Sequence, residues 1–327
     1  MNSRFLIFVL PILVLAGCDQ SFNPKGPFDN TLAVYCVLST DTDTTLIRVF
    51  RTYDPPGFDP YAWTTDPSVT DAAVSLFKED TAYSVRDTLL ARTDTSRYQS
   101  PIMAFVAQPF PVEFGKPYSL SINSPTAGSL SANVTVPTKA SMAIVNPNVL
   151  DYPGGYVGNA SPVLVRIQLT ISPFTRGYLL RAFFEYDLFS GSQWTVHRQE
   201  VPMKFSSNEE GSISPVYPSL KRRETSETSG GMENSFSNSF VIDAFVVTAS
   251  RLRSQYGTAN IRINRAIFVL NQVERNFYNY YNIANGFRDK NSIRLDEPGY
   301  TNIHGGEGVF GAFTVEEISH DLPTGVY

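Results

Sequence analysis

The sequence predicts an all-β protein of two tandem β-sandwich domains, the second carrying one packed helix near the carboxyl terminus. Three observations lead there. Short runs in which branched or aromatic residues alternate with polar ones recur along most of the chain. The clearest is Val163-Leu164-Val165-Arg166-Ile167-Gln168-Leu169-Thr170-Ile171, and a two-residue period belongs to a strand with one buried face. Pro, Gly, Asn and Asp divide these runs at short intervals, the punctuation of a sandwich. Helical periodicity, by contrast, is convincing in one place: Val273, Phe277, Tyr280, Tyr281 and Ala284 fall on a single stripe, with Gly286 following as a stop.

Taken in order, the chain opens on Met1-Asn2-Ser3-Arg4 and an apolar run from Phe5 to Leu15. Arg4 supplies the positive region of a secretory signal, and the run, holding Pro11, is shorter than the roughly 20 residues a membrane span needs. Leu15-Ala16-Gly17-Cys18 then has the form of a lipobox: a branched apolar residue, two small residues and a thiol. Residues 1–17 are expected to be a lipoprotein signal peptide. Cleavage before Cys18 and acylation of that cysteine would hold the chain on a membrane, since each buried methylene contributes about 0.8 kcal/mol. Losing residues 1–17 removes Arg4 and no acid, so the formal charge moves from −5 to −6. A mildly acidic chain without basic clusters is a poor nucleic-acid binder. The short run Lys221-Arg222-Arg223, beside Glu224 and Glu227, reads as solvated surface.

Residues 18–29, with Pro24, Gly26 and Pro27, read as a tether. Cutting 17 residues from 327 leaves 310, enough for two domains. The first sandwich is expected over 30–138, with strands at Thr45 to Tyr53, Ala72 to Phe77, Tyr118 to Asn123 and Leu130 to Val136. The second β-rich domain is expected over 139–327, with strands at Gly177 to Phe189, Trp194 to Met203 and Ile261 to Leu270. Near the start of that second unit lies a connection rich in Pro and Gly around Asn146 to Asn159. The segment 206–239, rich in Ser, Glu, Gly and Asn, reads as a long mobile excursion between strands. With Cys18 spent on lipid, Cys36 has no partner. It shares a face with Leu32, Val34 and Leu38 and reads as a small core thiol.

Motifs for catalysis or cofactor binding fail on context. Gly306-Glu307-Gly308-Val309-Phe310-Gly311 matches the glycine fingerprint of dinucleotide sites, but that fingerprint needs a helix behind it and an acid about twenty residues on. Here Ala312 to Ile318 alternates like a strand, so the glycines read as a turn or bulge leading into a final strand. His197, His304 and His320 lie far apart, Asp41-Thr42-Asp43 lacks the rest of a calcium loop, and no serine sits in a nucleophile elbow. Glu316-Glu317 alternates across a strand and reads as a solubility feature. No catalytic residue, metal site or cofactor is expected. The best recognition feature is the aromatic loop from Tyr53 to Trp63. Its candidate contacts are Tyr53, Phe58, Tyr61 and Trp63 on a backbone braced by Pro55, Pro56 and Pro60, because rigid rings offer contact area at low entropy cost. The bland alternative is a compact loop packing its rings on its own strands. Asp43-Thr44-Thr45, Asp80-Thr81-Ala82 and Asp87-Thr88-Leu89 have the form of bacterial O-glycosylation sites.

Several segments together resemble the Bacteroidetes-type lipoprotein family known as domain of unknown function 4249. They are the pair Leu32 to Leu38 and Ile47 to Tyr53; Val69 to Leu76 with Phe114-Gly115-Lys116-Pro117-Tyr118-Ser119-Leu120; and Phe277-Tyr278-Asn279-Tyr280-Tyr281, Glu297-Pro298 and Asn302 to Gly311. The middle part is similar to transthyretin-, fibronectin- and immunoglobulin-like modules. The resemblance implies a secreted lipoprotein found with a TonB-dependent outer-membrane receptor, and it brings no catalytic residues. On it rests the expectation of a non-catalytic accessory subunit for nutrient uptake, anchored in the outer membrane by lipid and facing the cell surface. The other expectation is an adhesive or structural surface module that recognises glycan or protein through its aromatic loop.

Overall fold

A computed structural model of the chain describes residues 26–57, 59, 62–156, 161–207, 212–223, 234–284 and 300–327, with side chains through Asn282 in the helix that ends at Ala284. Cys18, Phe58 and Tyr61 lie outside these residues. The first part of the chain supplies β1 (Leu32–Ser39), β2 (Thr45–Arg51), β3 (Ala73–Lys78), β4 (Thr81–Tyr83), β5 (Val85–Leu90), β6 (Ile102–Ala107), β7 (Pro117–Ser124), β8 (Gly128–Thr135) and β9 (Ser141–Ile144). After a one-turn helix α1 (Asn148–Asp151) come β10 (Leu164–Thr170), β11 (Thr175–Ser190), β12 (Gln193–Val201), β13 (Lys204–Ser207), β14 (Ile213–Val216), β15 (Lys221–Arg222) and β16 (Ser235–Val241). Helix α2 (Ile242–Tyr256), β17 (Ile261–Glu274), α3 (Arg275–Ala284) and β18 (Glu307–Asp321) complete the fold.

The protein is all-β, with two hydrophobic cores. One packs β1, β2 and β6 against the four-stranded sheet β4-β3-β7-β8, around Leu38, Ile47, Phe110, Leu120 and Ile122. The other packs β11 and β17 against the sheet β16-β10-β9 and α2, around Phe184, Phe240, Phe245 and Phe268. Alternation explains both. In β10 the burial runs inward at Val165, Ile167 and Leu169, while Arg166 faces out. Each fully buried Phe or Ile contributes about 1.5–3 kcal/mol by leaving water. Cys36 is fully buried in the first core, where desolvation pushes its thiol well above the usual value.

The cores divide near the expected boundary at 138, but they are not separate sheets. Among the described residues one nine-stranded sheet, in the order β12-β11-β17-β18-β1-β2-β6-β5 with β15 beside β11, passes through both units. Its join is β18. From Glu307 to Phe313 this strand runs parallel to β1, and from Phe313 to Asp321 it runs antiparallel to β17. Phe310 and Ala312 therefore belong to the first core although they lie near the end of the chain. The all-β reading stands, and the two cores share one sheet because of a pairing between residues 33 and 307 that sequence separation hides.

The Gly306–Gly311 run explains how the strands approach. Gly308 adopts φ +104°, and a Cβ there would lie 2.0 Å from the Val34 carbonyl oxygen. A Cβ on Gly311 would lie 2.6 Å from Cβ of Phe277, so the strand also makes room for α3. That helix begins at Arg275. Val273 belongs to β17 instead, and Tyr281 is exposed, which narrows the expected stripe. Helix α2 was not expected. Its signal was nonetheless present: Ile242, Phe245, Ala249 and Leu252 are buried at helical spacing. Gly257 at φ +84° follows it as a cap.

Where it is described, the segment 206–239 contains paired strands. It closes the β13–β14 hairpin, pairs Lys221 and Arg222 with Tyr178 and Gly177, and ends in β16 beside β10. Arg223 is corrected as well. It is 7% exposed, with Nη1 donating to the Ser172 and Pro173 carbonyls at 2.9 Å each.

A buried polar knot sits where the two units meet. Gln272 is fully buried. Its Oε1 accepts from Ser172 N (2.7 Å) and Thr175 Oγ1 (2.9 Å), and its Nε2 donates to the Thr138 carbonyl (3.0 Å) and to Glu316 (2.7 Å). Glu316 also accepts from Ala140 N. It is a buried acid of the joint rather than a solubility feature, whereas its neighbour Glu317 is exposed.

Candidate functional site

The strand–loop boundary after β2 positions the first ring of the candidate site. Thr52 N donates to the Thr31 carbonyl and Thr31 N to Thr52 Oγ1, both at 2.9 Å, which fixes the chain as it leaves the sheet. Tyr53 follows and stacks on Trp63, with ring centroids 5.3 Å apart and planes 21° from parallel. Arg97 holds the pair from behind. Its Nη2 donates to the Tyr53 hydroxyl and its Nε to the Trp63 carbonyl at 3.2 Å, and its guanidinium lies 4.8 Å from the Tyr98 ring centroid. Such cation–π contacts contribute about 0.5–1 kcal/mol at exposed sites and more where water is excluded. Trp63 Nε1 is buried without a hydrogen-bond partner among the described residues.

Next to this stack lies the carboxylate of Asp66, whose side chain is 8% exposed. It accepts from Arg48 at 3.3 Å, from Arg92, and from Ser68 N and Oγ at 3.0 and 2.7 Å. Burial alone would raise its pKa. The Ser68 hydrogen bonds and the two guanidiniums outweigh that, and the carboxyl is held below the usual range.

The rings form one wall of a cleft of about 570 Å³, whose other sides include Phe28, Arg51, Asp71 and Thr126. Asp71 accepts from Thr126 Oγ1 at 2.6 Å and from Ser124 Oγ at 2.8 Å, and those bonds hold its carboxyl low. Arg51 Nη2 in turn donates to Thr126 Oγ1. The cleft thus sets a stacked aromatic surface beside a donor–acceptor row. That suits a ligand with both an apolar face and hydroxyl or amide groups, such as a sugar ring or an extended peptide.

Of the residues singled out from sequence, Tyr53 and Trp63 are brought together, and Phe58 and Tyr61 lie outside the described residues. Arg97, Tyr98, Asp66 and the Arg51–Thr126–Asp71 row were missed. Their signal is weak, because each comes from a different segment and none forms a motif. The histidines stay apart. His197 stacks on Tyr186 at 5.6 Å, His304 bridges to Ser131 through its backbone, and His320 pairs with Asp151 at 2.7 Å. The aromatic cleft is lined by none of them. Among the described residues no group of three or more His, Cys, Asp or Glu is placed to hold a metal ion, and no helix is long and apolar enough to cross a membrane.

Residues 19–319 match the family described as Domain of unknown function (DUF4249), and the chain belongs to that family. No curated protein matches it. Among solved structures, it is similar to the C-terminal globular domain of an oligosaccharyltransferase from Pyrococcus abyssi at 9% identity and a TM-score of 0.21. That match covers 74% of this chain and 48% of the other, so the chain spans about half the length of that structure.

Proposed function

We propose that this member of the DUF4249 family is a lipoprotein anchored at the outer membrane through Cys18, which binds rather than catalyses. It would serve as an accessory subunit of a TonB-dependent uptake receptor. Its support is the Leu15-Ala16-Gly17-Cys18 lipobox together with the receptor association that the family resemblance implies. The single structural observation that favours a binding role is the cleft walled by the stacked Tyr53–Trp63 pair.

Position adds to this reading. Phe28 lines the cleft, and the segment from Cys18 to Phe28 reaches at most roughly 35 Å when fully extended. A tether of that length keeps the cleft near the bilayer, within reach of the loops of a membrane-embedded receptor. Trp63 Nε1, buried and unpartnered among the described residues, offers a donor that a bound ligand satisfies. The adhesive reading draws on the same cleft and differs only in the partner.

The test is extraction of the full chain from membranes in mild detergent, followed by identification of what co-purifies. Recovery of a TonB-dependent receptor, reduced by Tyr53→Ala with Trp63→Ala, is the expected result. Recovery of the chain alone, with glycan or host protein captured at the cell surface instead, would favour adhesion over uptake.

A further inference from the structure

A second cleft, of about 660 Å³, opens beside the joint between the two units. Its walls come from β8, the turn into β11, the residue after β15, and the β17–α3 junction. Three guanidiniums line it, from Arg176, Arg223 and Arg275, and the amides of Asn133 and Asn279 line it too. The backbones of two of these residues are tied together, since Arg223 N donates to the Arg176 carbonyl at 2.9 Å.

Arg223 is the built part of the site. Its side chain is fixed by the two carbonyl bonds described above. Yet it is more than nine-tenths buried, and its Nε is buried without a partner among the described residues. Leaving such a donor unsatisfied costs about 1–3 kcal/mol, more for a charged group. Burial, with Arg222 and Arg275 nearby, pushes Arg176 below the usual arginine value, and burial with Arg176 nearby does the same to Arg223. Cations here face one another.

Among the described lining residues one carries a carboxyl, and it forms no ion pair with Arg223 or Arg275. Glu274 turns to the start of α3, accepting from Asn276 N at 2.7 Å and Phe277 N at 3.2 Å. Among the described residues, no carboxylate stands within ion-pair distance of Arg223 or Arg275. A concavity that gathers three arginines, one of them fixed by two carbonyls, with amides beside them is an arrangement that takes an oxyanion, because guanidiniums pair with carboxylate or phosphate through parallel hydrogen bonds. The volume lies in the range of small-molecule pockets, larger than a bare inorganic ion requires.

We propose that this cleft binds the oxyanion group of a sugar-sized solute, with Arg176, Arg223 and Arg275 holding the anion and the Asn133 and Asn279 amides taking its uncharged polar groups. The assignment does not rest on the receptor association proposed above. It would stand if that partnership failed.

Calorimetric titration of the full chain in mild detergent, at fixed ionic strength, tests it with three probes: galacturonic acid, galactose 6-phosphate and galactose. Saturable binding of at least one of the two acids, and none of neutral galactose, is expected. Which acid binds identifies the oxyanion as carboxylate or phosphate. Arg275→Gln and Arg176→Gln, both at positions less buried than Arg223, should each weaken it about tenfold or more while leaving the thermal midpoint near that of the parent. Failure of both acids to bind, equal binding of galactose, or unchanged affinity in both variants would overturn the proposal.

Discussion

The two clefts each have a buried acid beside them, and the two acids behave in opposite ways. Asp66, next to the aromatic stack, has two arginines and a serine on it, and its carboxyl is held low. Glu274, lining a cleft with three arginines, gives its oxygens to backbone amides, and burial pushes its carboxyl up to about 7. Proximity to cations does not by itself neutralise them; geometry decides. In the first cluster the acid is matched by the arginines that touch it, and its cleft offers rings and hydroxyls. In the second, Arg223 and Arg275 have no carboxylate within ion-pair distance among the described residues, so its cleft offers attraction to an outside anion.

The largest effect that can break this contrast lies at the joint, because the arginine cleft depends on it and the aromatic cleft does not. Gln272→Leu removes the bonds to Ser172, Thr175, Thr138 and Glu316 and strands their buried groups. It should cost about 3–5 kcal/mol. Trp63 and Trp194 are the two tryptophans of the chain, and they fall in different units. Urea unfolding followed through each, with the other replaced by Phe, should give coincident transitions in the parent, because β18 is shared. Separate transitions would show the units to be independent, and a loss under about 1 kcal/mol would show the knot to be idle.

Next comes the acid of the arginine cleft. Glu274 has a folded value near 7 against about 4.3 when unfolded. Its neutral form is the one the fold favours, so its stabilising contribution is complete below about pH 4.3 and is lost as pH rises through 7. Glu274→Gln should therefore match the parent near pH 4 and exceed it by roughly 2–4 kcal/mol at pH 8, read from thermal unfolding across that range. A parent that gains on the variant as pH rises would reverse the assignment.

Smaller still is the acid of the aromatic cleft, and its sign is opposite. The Asp66 carboxyl is depressed, so its contribution is present above its unfolded value of about 3.9 and fades as pH falls through the folded one. Asp66→Asn should cost about 1–3 kcal/mol at pH 7 and progressively less below pH 4, monitored through Trp63 fluorescence with Trp194 replaced. A difference that persists undiminished into strong acid would mean that the arginine pairs contribute little.

These contrasts also mark how far the sequence could be read. Period-two alternation placed strands such as Val163 to Ile171 because burial on one face needs only near neighbours in the chain. The Tyr53–Trp63 stack was within reach for the same reason, its rings being ten residues apart on one proline-braced loop. The joint was not. The β1–β18 pairing spans most of the chain, and parallel register leaves no hairpin signature. The glycines that permit it imitated a nucleotide fingerprint. The arginine cleft was hidden twice over. Its cations come from separate elements, and Arg223 sat in a charged run whose neighbours are surface residues, so composition pointed outward where the fold turns the side chain in.

The claim on which the proposed role depends is that this β body works outside the cytoplasm on a lipid foot, and intact mass spectrometry of the chain extracted from membranes tests it most directly. The account predicts a polypeptide beginning at Cys18 and heavier than its residues by a diacylglyceryl group and an amide-linked acyl chain. A chain still carrying residues 1–17, or one with a bare Cys18, would contradict it.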